Sequence, residues 1–401
     1  MGKIPLVVVV RVLAIVGQIW FIKLYAHYLT PSQLGHYFLW ATISYFLNAL
    51  IFVPFDFYQQ AAIFKQNATG STLNNLIKLN INMISIITIV CVFIGIIIFV
   101  TDKDLLFIFC IISISAMVLY ASSALKSFLN NQGEQIFVVM ILLIEILLKI
   151  GIFMGFVRLG YNKPESIMIS ASMAMLVIVL LAYPRVKKYR IPAHGVEKPI
   201  NFREILKFCW PTSCSAILNW LQLQGYRLVM VPLGYAETVG VFATVSGVGS
   251  AGMGAASTVY QQVYQPRIYQ SGGRYIRTYI KSAGGVIVLV LAVGLILRKE
   301  IVELATSIKF VEFAWVIGYG IIIEAGNLLI GALTVQLSLR GEMAEQVKAY
   351  IFGVVAIPIF FAILVMADEL NIFTLGIPLV LSQAITVSIL LFKSGLIHGK
   401  H

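Results

Sequence analysis

The sequence predicts an all-α membrane protein, about twelve transmembrane helices in two pseudo-symmetric six-helix bundles around a central cleft. Three observations lead there: too little charge for a soluble chain, many unbroken apolar runs, and two halves with matching signals. Of 401 residues, 60% are hydrophobic and only 11% are Asp, Glu, Lys or Arg, with a mean hydropathy of +0.93. A soluble domain carries about 25% charged residues, so most side chains here meet lipid or one another. Runs such as Leu79–Val100, and Gly284–Leu297 with its flanks, reach the roughly 20 residues a helix needs to cross hydrocarbon. They do not alternate polar and apolar residues, as the strands of a membrane barrel do over about 10 residues.

Hydropathy and turn residues place the spans at 4–29, 36–63, 76–100, 105–125, 136–157, 165–183, 206–232, 239–262, 282–299, 313–338, 348–367 and 371–392. The run Ile4–Leu29 exceeds the apolar core of a signal peptide, about 7–15 residues, and reads as a retained first span. Thr30-Pro31-Ser32, Asn67-Ala68-Thr69-Gly70, Asn130-Asn131-Gln132-Gly133 and Gln270-Ser271-Gly272-Gly273 carry turn chemistry between spans. With the N-terminus inside, nineteen of the 29 lysines and arginines fall on inside segments. Six fall outside: Lys103, Arg158, Lys163, Arg298, Lys299 and Lys309. Basic residues concentrate on the cytoplasmic side, so both termini are expected in the cytoplasm. The formal charge of +12 then reflects topology and anionic headgroups, and no nucleic-acid partner is implied. The sequon at Asn67 falls on the cytoplasmic side and is not expected to be used.

The four cysteines, Cys91, Cys110, Cys209 and Cys214, lie in apolar stretches without a CxxC. They read as small buried hydrophobes, not as a metal site or a disulfide framework. No GxxxxGK[ST] loop occurs, so neither a nucleotide nor another cofactor is called for.

The basic, Pro-containing connection 184–205 divides the chain into 1–183 and 206–401, each with six spans. Leu29-Thr30-Pro31-Ser32-Gln33-Leu34-Gly35 joins the first two spans, and the second ends in Tyr58-Gln59-Gln60. Leu233-Gly234-Tyr235-Ala236-Glu237-Thr238-Val239-Gly240 joins the seventh and eighth, and the eighth ends in Tyr260-Gln261-Gln262. Matching signals at matching places indicate an internal repeat. An even number of spans per repeat gives both halves one orientation, with the pseudo-twofold axis along the membrane normal. A substrate path is expected between them, opened alternately to either side.

Arg11 early in the first span, then Leu29–Tyr37, then an apolar helix ending in a polar cluster resembles the polysaccharide transporters of the multidrug/oligosaccharidyl-lipid/polysaccharide exporter superfamily, specifically its O-antigen (Wzx-type) flippases. Length, span count, basic central loop and paired halves agree along the whole chain. The resemblance implies a flippase, not an enzyme. It would move an undecaprenyl-pyrophosphate-linked oligosaccharide, a polyprenyl-pyrophosphate substrate, from the inner to the outer leaflet of a bacterial inner membrane. A polysaccharide polymerase and a chain-length regulator are implied as partners.

Ionisable residues within spans mark functional sites by default. Here they are Arg11, Lys23, Asp56, Glu145, Lys149, Arg227 and Glu324. Arg11, Gln18 and Tyr25 follow at seven-residue steps on nearly one helix face. That face suits a path lining, although Arg11, like Lys23, can also snorkel to the surface. Asp56 follows Pro54, which frees the carbonyl of residue 50 and kinks the helix. With Gln59 and Gln60 it forms a polar patch for a coupling ion or, on the plainer reading, an ion pair. Glu145 and Lys149 are spaced for an intrahelical pair. Gln224 and Arg227 continue a stripe from Trp220, and Arg227 can bind a pyrophosphate or acidic sugar, or anchor the span at the interface. Glu324, Asn327, Gly331, Thr334 and Ser338 form one polar and small stripe, read as path lining. Glu324 and Asp56 are the ion-coupling candidates. Ser246, Ser250, Gly254 and Thr258 recur every four residues among further glycines and alanines, which predicts a close-packing seam.

Two other functions compete. A drug/cation antiporter of the same superfamily would favour a cavity rich in carboxylates, and the intramembrane residues lean slightly basic. A membrane-embedded O-antigen polymerase or glycosyltransferase would need a large external loop or a cytoplasmic acidic site. The DxD at Asp102-Lys103-Asp104 lies on the predicted outer side.

Overall fold

The computed structural model describes residues 4–52, 55, 70–101, 103–189 and 202–395. Among them are twelve long helices: α1 (Ile4–Tyr28), α2 (Pro31–Leu47), α3 (Gly70–Thr101), α4 (Lys103–Asn131), α5 (Gln135–Arg158), α6 (Pro164–Lys187), α7 (Phe202–Gln224), α8 (Ala236–Gln270), α9 (Ile276–Ile296), α10 (Ile317–Leu339), α11 (Met343–Met366) and α12 (Gly376–Lys393). Ten of the described helices are long and apolar enough to cross a membrane, so the chain is a multi-pass, all-helical membrane protein. The other two predicted spans are α2 and α7. Helix α2 passes into a π-helical turn, Asn48–Phe52, and most of the rest of that span lies outside the described residues. Helix α7 carries Asn219, Gln222 and Gln224, stops before Gly225, and resumes as the turn Tyr226–Met230.

Several helix ends differ from the sequence expectation for local reasons. The first connection is shorter than predicted, because Thr30 and Gln33 cap α2 reciprocally. The Gln33 N–H donates to Thr30 Oγ1 at 3.3 Å and the Thr30 N–H to Gln33 Oε1 at 2.9 Å, and Pro31 occupies the first helical position, where its missing N–H costs nothing. Helix α12 starts at Gly376, later than the expected 371. The Asn371 side chain holds the N–H groups of Phe373 and Thr374 at 2.9 and 3.1 Å, a local turn that competes with helix.

The chain forms two compact units, residues 1–21 with 40–213, and residues 22–39 with 214–401. In the first, α6 packs against both α4 and α5, and α3 packs against α4. Gly17 of α1 admits Ile146, and Phe21 meets Phe153 edge-on with ring centroids 5.9 Å apart. Leu129, Val138, Ile141, Ile178, Ala182 and Val186 form one apolar core. Phe52 stacks on Tyr120 at 4.3 Å in another.

In the second unit α10 is central, packed against α8, α9 and α12. The seam predicted on α8 lies against α10. A Cβ on Gly249 would fall 2.2 Å from the Ile317 carbonyl oxygen, and one on Gly320 would fall 1.8 Å from that of Ser246. The backbones touch, as only glycine allows, and the Ser250 hydroxyl donates to the Gly320 carbonyl at 3.1 Å. Leu333, Leu337, Ala349 and Leu390 build the apolar core beside it. Lys309 reaches the carbonyl of Leu29, placing a cation at the negative end of α1.

The repeat read from sequence recurs in the contacts. A Cβ on Gly35 would fall 1.9 Å from the Ala236 carbonyl oxygen, and one on Gly240 would fall 1.8 Å from that of Pro31. Ala236 follows Pro31 by the same 205 residues that separate Gly240 from Gly35, so the two turns exchange identical contacts. The offset persists deeper. Ser44 meets the Ile112 carbonyl at 3.3 Å, and 205 residues on, Gly249 meets that of Ile317.

Candidate functional site

Polar groups gather inside each unit. In the first, Glu145 of α5 is 5% exposed. It lies ten residues past the start of a 24-residue helix, about 15 Å along its axis. Its Oε1 accepts from Lys149 Nζ at 2.6 Å and its Oε2 from Lys126 Nζ at 2.8 Å. The expected Glu145–Lys149 pair is therefore a triad. Lys126 lies one residue past the predicted span 105–125 and was not selected, but α4 runs on as helix to Asn131. A buried carboxylate needs its partners to offset desolvation, and here two ammoniums share one.

In the second unit, Glu324 Oε2 accepts from Asn327 Nδ2 at 3.0 Å, and Asn327 Oδ1 accepts from Gln383 Nε2 of α12 at 3.4 Å. A Cβ on Gly254 would lie 3.7 Å from Glu324 Oε1, so the α8 seam ends at this carboxylate. Farther along the stripe, Thr334 Oγ1 is buried without a hydrogen-bond partner among the described residues, while Gly331 and Ser338 are exposed. Gln222 of α7 donates to Ser382 Oγ at 2.7 Å and Thr386 Oγ1 at 3.0 Å. Ser382 in turn donates to the Gly353 carbonyl at 2.7 Å. Sequence reading did not select Gln222 or Gln383 as site residues, since polar groups on separate helices converge only in three dimensions.

Arg227 follows the break at Gly225. Its guanidinium lies over the rings of Phe38 and Tyr226, 5.2 and 5.4 Å from their centroids, and its Nε donates to the Tyr226 hydroxyl at 3.2 Å. Gln224 is half-buried just before the break. The face predicted for Arg11, Gln18 and Tyr25 is not uniform. Arg11 is half-buried, Gln18 is exposed, and Tyr25 is buried beside Tyr37 at 5.8 Å. Asp56, Gln59 and Gln60 lie outside the described residues. A cavity of about 410 Å³ between α3 and α4, lined by Thr88, Cys91, Gly95, Phe99, Phe109 and Met117 among others, is apolar and includes none of the predicted path residues.

Solved structures share this architecture. Lipid II flippase MurJ in an inward closed conformation superposes with a TM-score of 0.69 at 12% identity, over 97% of this chain and 87% of that one. An inward-facing multidrug resistance MATE family transporter of the MOP superfamily gives 0.62 at 16% identity, over 97% and 94%. A MOP superfamily transporter from Pyrococcus furiosus, described by the reverse polarity of its binding pocket, gives 0.58 at 13% identity, over 98% and 93%. The chain has the fold of these transporters. No protein-family model matches the sequence, and no curated protein matches it.

Proposed function

We propose that the chain is a flippase for polyprenyl-pyrophosphate-linked oligosaccharides, with two six-helix bundles, 1–183 and 206–401, working by alternating access in a bacterial inner membrane. Both termini and the 184–205 connection are then cytoplasmic. The fold shared with a lipid II flippase supports a lipid-linked substrate. The observation that carries the choice over a drug/cation antiporter is the cationic surplus in α4 and α5, two lysines on one glutamate. An isolated anion cannot cross an apolar core cheaply, and such a surplus favours an anionic headgroup. Arg11 and Arg227 attract the pyrophosphate or an acidic sugar. Gln18, Tyr25, Gln59, Gln60, Gln224, Asn327 and Thr334 line its route, and Asp56 or Glu324 carries the coupling ion. The polyprenyl tail stays in lipid. Polymerase and chain-length regulator act on the exported unit.

The test is export. Arg227→Ala and Arg11→Ala reduce surface polysaccharide while membrane abundance of the protein is unchanged. Arg→Lys rescues where charge suffices and fails where the guanidinium fork is used. Wild-type export by Arg11→Ala, Arg227→Ala and Asp56→Asn alike would overturn the mechanism. Export of cationic drugs in place of polysaccharide would overturn the substrate class.

A further inference from the structure

The Lys126–Glu145–Lys149 triad holds one more cation than anion, with Lys126 in the last turns of α4 and the other two inside α5. Each carboxylate oxygen is spent on one ammonium, at 2.8 and 2.6 Å, and the glutamate side chain is 6% exposed while the lysines are 17% and 21% exposed. The buried member is thus the anion, and the two cations are the members with an accessible side. Among the described residues, the charges that act on the carboxylate are these two lysines. Helix α6, packed on both α4 and α5, has no ionisable side chain between Glu165 and Tyr183. Helix α1 meets α5 through Gly17 and Phe21, with Arg11 and Lys23 on either side of that contact. Elsewhere in its helical interior α4 offers Tyr120 and Cys110.

A charge cluster in hydrocarbon is held near neutrality by its own members or by a bound ion. With the carboxylate ionised, it is the resident counter-ion of both ammoniums. With the carboxylate protonated, both lysines lose that partner and present two adjacent, partly exposed cations. We infer that the triad is a proton-linked anion site: Lys126 and Lys149 bind a phosphate or pyrophosphate group when Glu145 takes up a proton, and release it when Glu145 ionises again. Linkage is reciprocal, so the anion draws a proton onto Glu145 as strongly as the proton draws in the anion. This deepens the flippase reading, on which its substrate class rests, by joining ion coupling and headgroup binding at one place.

The wild-type full chain tests it directly. In phosphatidylcholine nanodiscs in weak buffer, inorganic pyrophosphate is added and proton uptake is followed with a pH dye. Uptake that saturates with binding is expected, together with affinity that rises about tenfold as pH falls through the titration of Glu145, a coupling of ordinary size. Glu145→Gln binds pyrophosphate at least as tightly as the acid-side wild type, and keeps only the pH dependence and proton exchange that come from pyrophosphate's own ionisation. Lys126→Gln with Lys149→Gln binds at least tenfold more weakly. A second arm replaces part of the phosphatidylcholine with phosphatidylglycerol. If that suppresses the pyrophosphate signal in wild type but leaves the lysine double variant unchanged, a lipid headgroup fills the same site, which also supports it. Binding without proton uptake, or binding retained by the lysine double variant, would overturn the inference. None of these measurements depends on transport. A chain that binds and takes up protons yet exports no polysaccharide would refute the flippase reading alone.

Discussion

The turn joining α4 to α5 and the turn joining α10 to α11 are built alike. Gly133 and Gly341 have φ of 81° and 74°. The following N–H groups, of Glu134 and Glu342, reach back to the Leu129 and Leu337 carbonyls at 3.0 and 2.9 Å. The corresponding residues are 208 apart. At that offset Lys126, Glu145 and Lys149 become Thr334, Gly353 and Ile357. One copy holds a charged triad. The other holds a neutral network, in which Gln222 and Ser382 close on Gly353. The same helical frame therefore accommodates neutral side chains at all three positions. Packing does not demand the charges of the first copy, and buried charge kept where the fold does not require it points to function.

The strongest way to break that comparison is Glu145→Leu, which leaves two ammoniums without their carboxylate. Removing one partner of a buried ion pair costs about 3–5 kcal/mol, seen as a large drop in the thermal unfolding midpoint of the solubilised protein. Installing the other copy's residues, Lys126→Thr, Glu145→Gly and Lys149→Ile together, should recover most of the loss while export stays low. A triple variant as unstable as Glu145→Leu would show that the charges are structural after all. Next in size are the paired glycines. Gly35→Ala and Gly240→Ala each force a Cβ into a carbonyl oxygen, an overpacking cost of about 1–3 kcal/mol. Chemical denaturation should find the two nearly equal and the double variant less than additive. Gln222→Leu should cost about 1 kcal/mol, a small shift in the same melt, because Ser382 and Thr386 keep the Gly353 and Ser382 carbonyls as acceptors.

The smallest effect concerns pH at the turn between α4 and α5 in the first unit. Arg185 and Tyr189 donate to Glu134 at 3.1 and 2.8 Å and hold its carboxyl below the usual carboxylate range. A depressed folded-state value adds stability that is present above the unfolded value, near 4.5, and is lost as pH falls through the lower folded one. Wild type should therefore melt slightly above Glu134→Gln at pH 7, with the two curves merging in acid. A gap that widened in acid would reverse the assignment.

Much of the fold was legible because hydrocarbon imposes length and composition on every span. Predicted 136–157 and observed Gln135–Arg158 differ by one residue at each end. The α8 seam and the 205-residue repeat were legible too, since glycine spacing and turn residues are local signals. The misplaced edges fell where side chains organise the backbone, as at Thr30 with Gln33 and at Asn371. The polar interior was less legible. Glu145 with Lys149 and Glu324 with Asn327 are neighbours on single helices, which spacing can show. Lys126, Gln222 and Gln383 come from other helices, and no one-dimensional pattern pairs them.

The reciprocal meeting of Gly35 with Ala236 and of Gly240 with Pro31 has a consequence for ancestry. A contact that maps onto itself when its two hairpins are exchanged is the kind two identical chains make. In a half-length ancestor working as a homodimer, one glycine would have served both sides, and one substitution there would have struck twice. In a single chain that holds both hairpins, each side can be substituted separately. Each glycine still faces the other hairpin's carbonyl oxygen, an atom every residue supplies. The partner position therefore holds proline on one side and alanine on the other, whereas a side chain on either glycine would run into that oxygen.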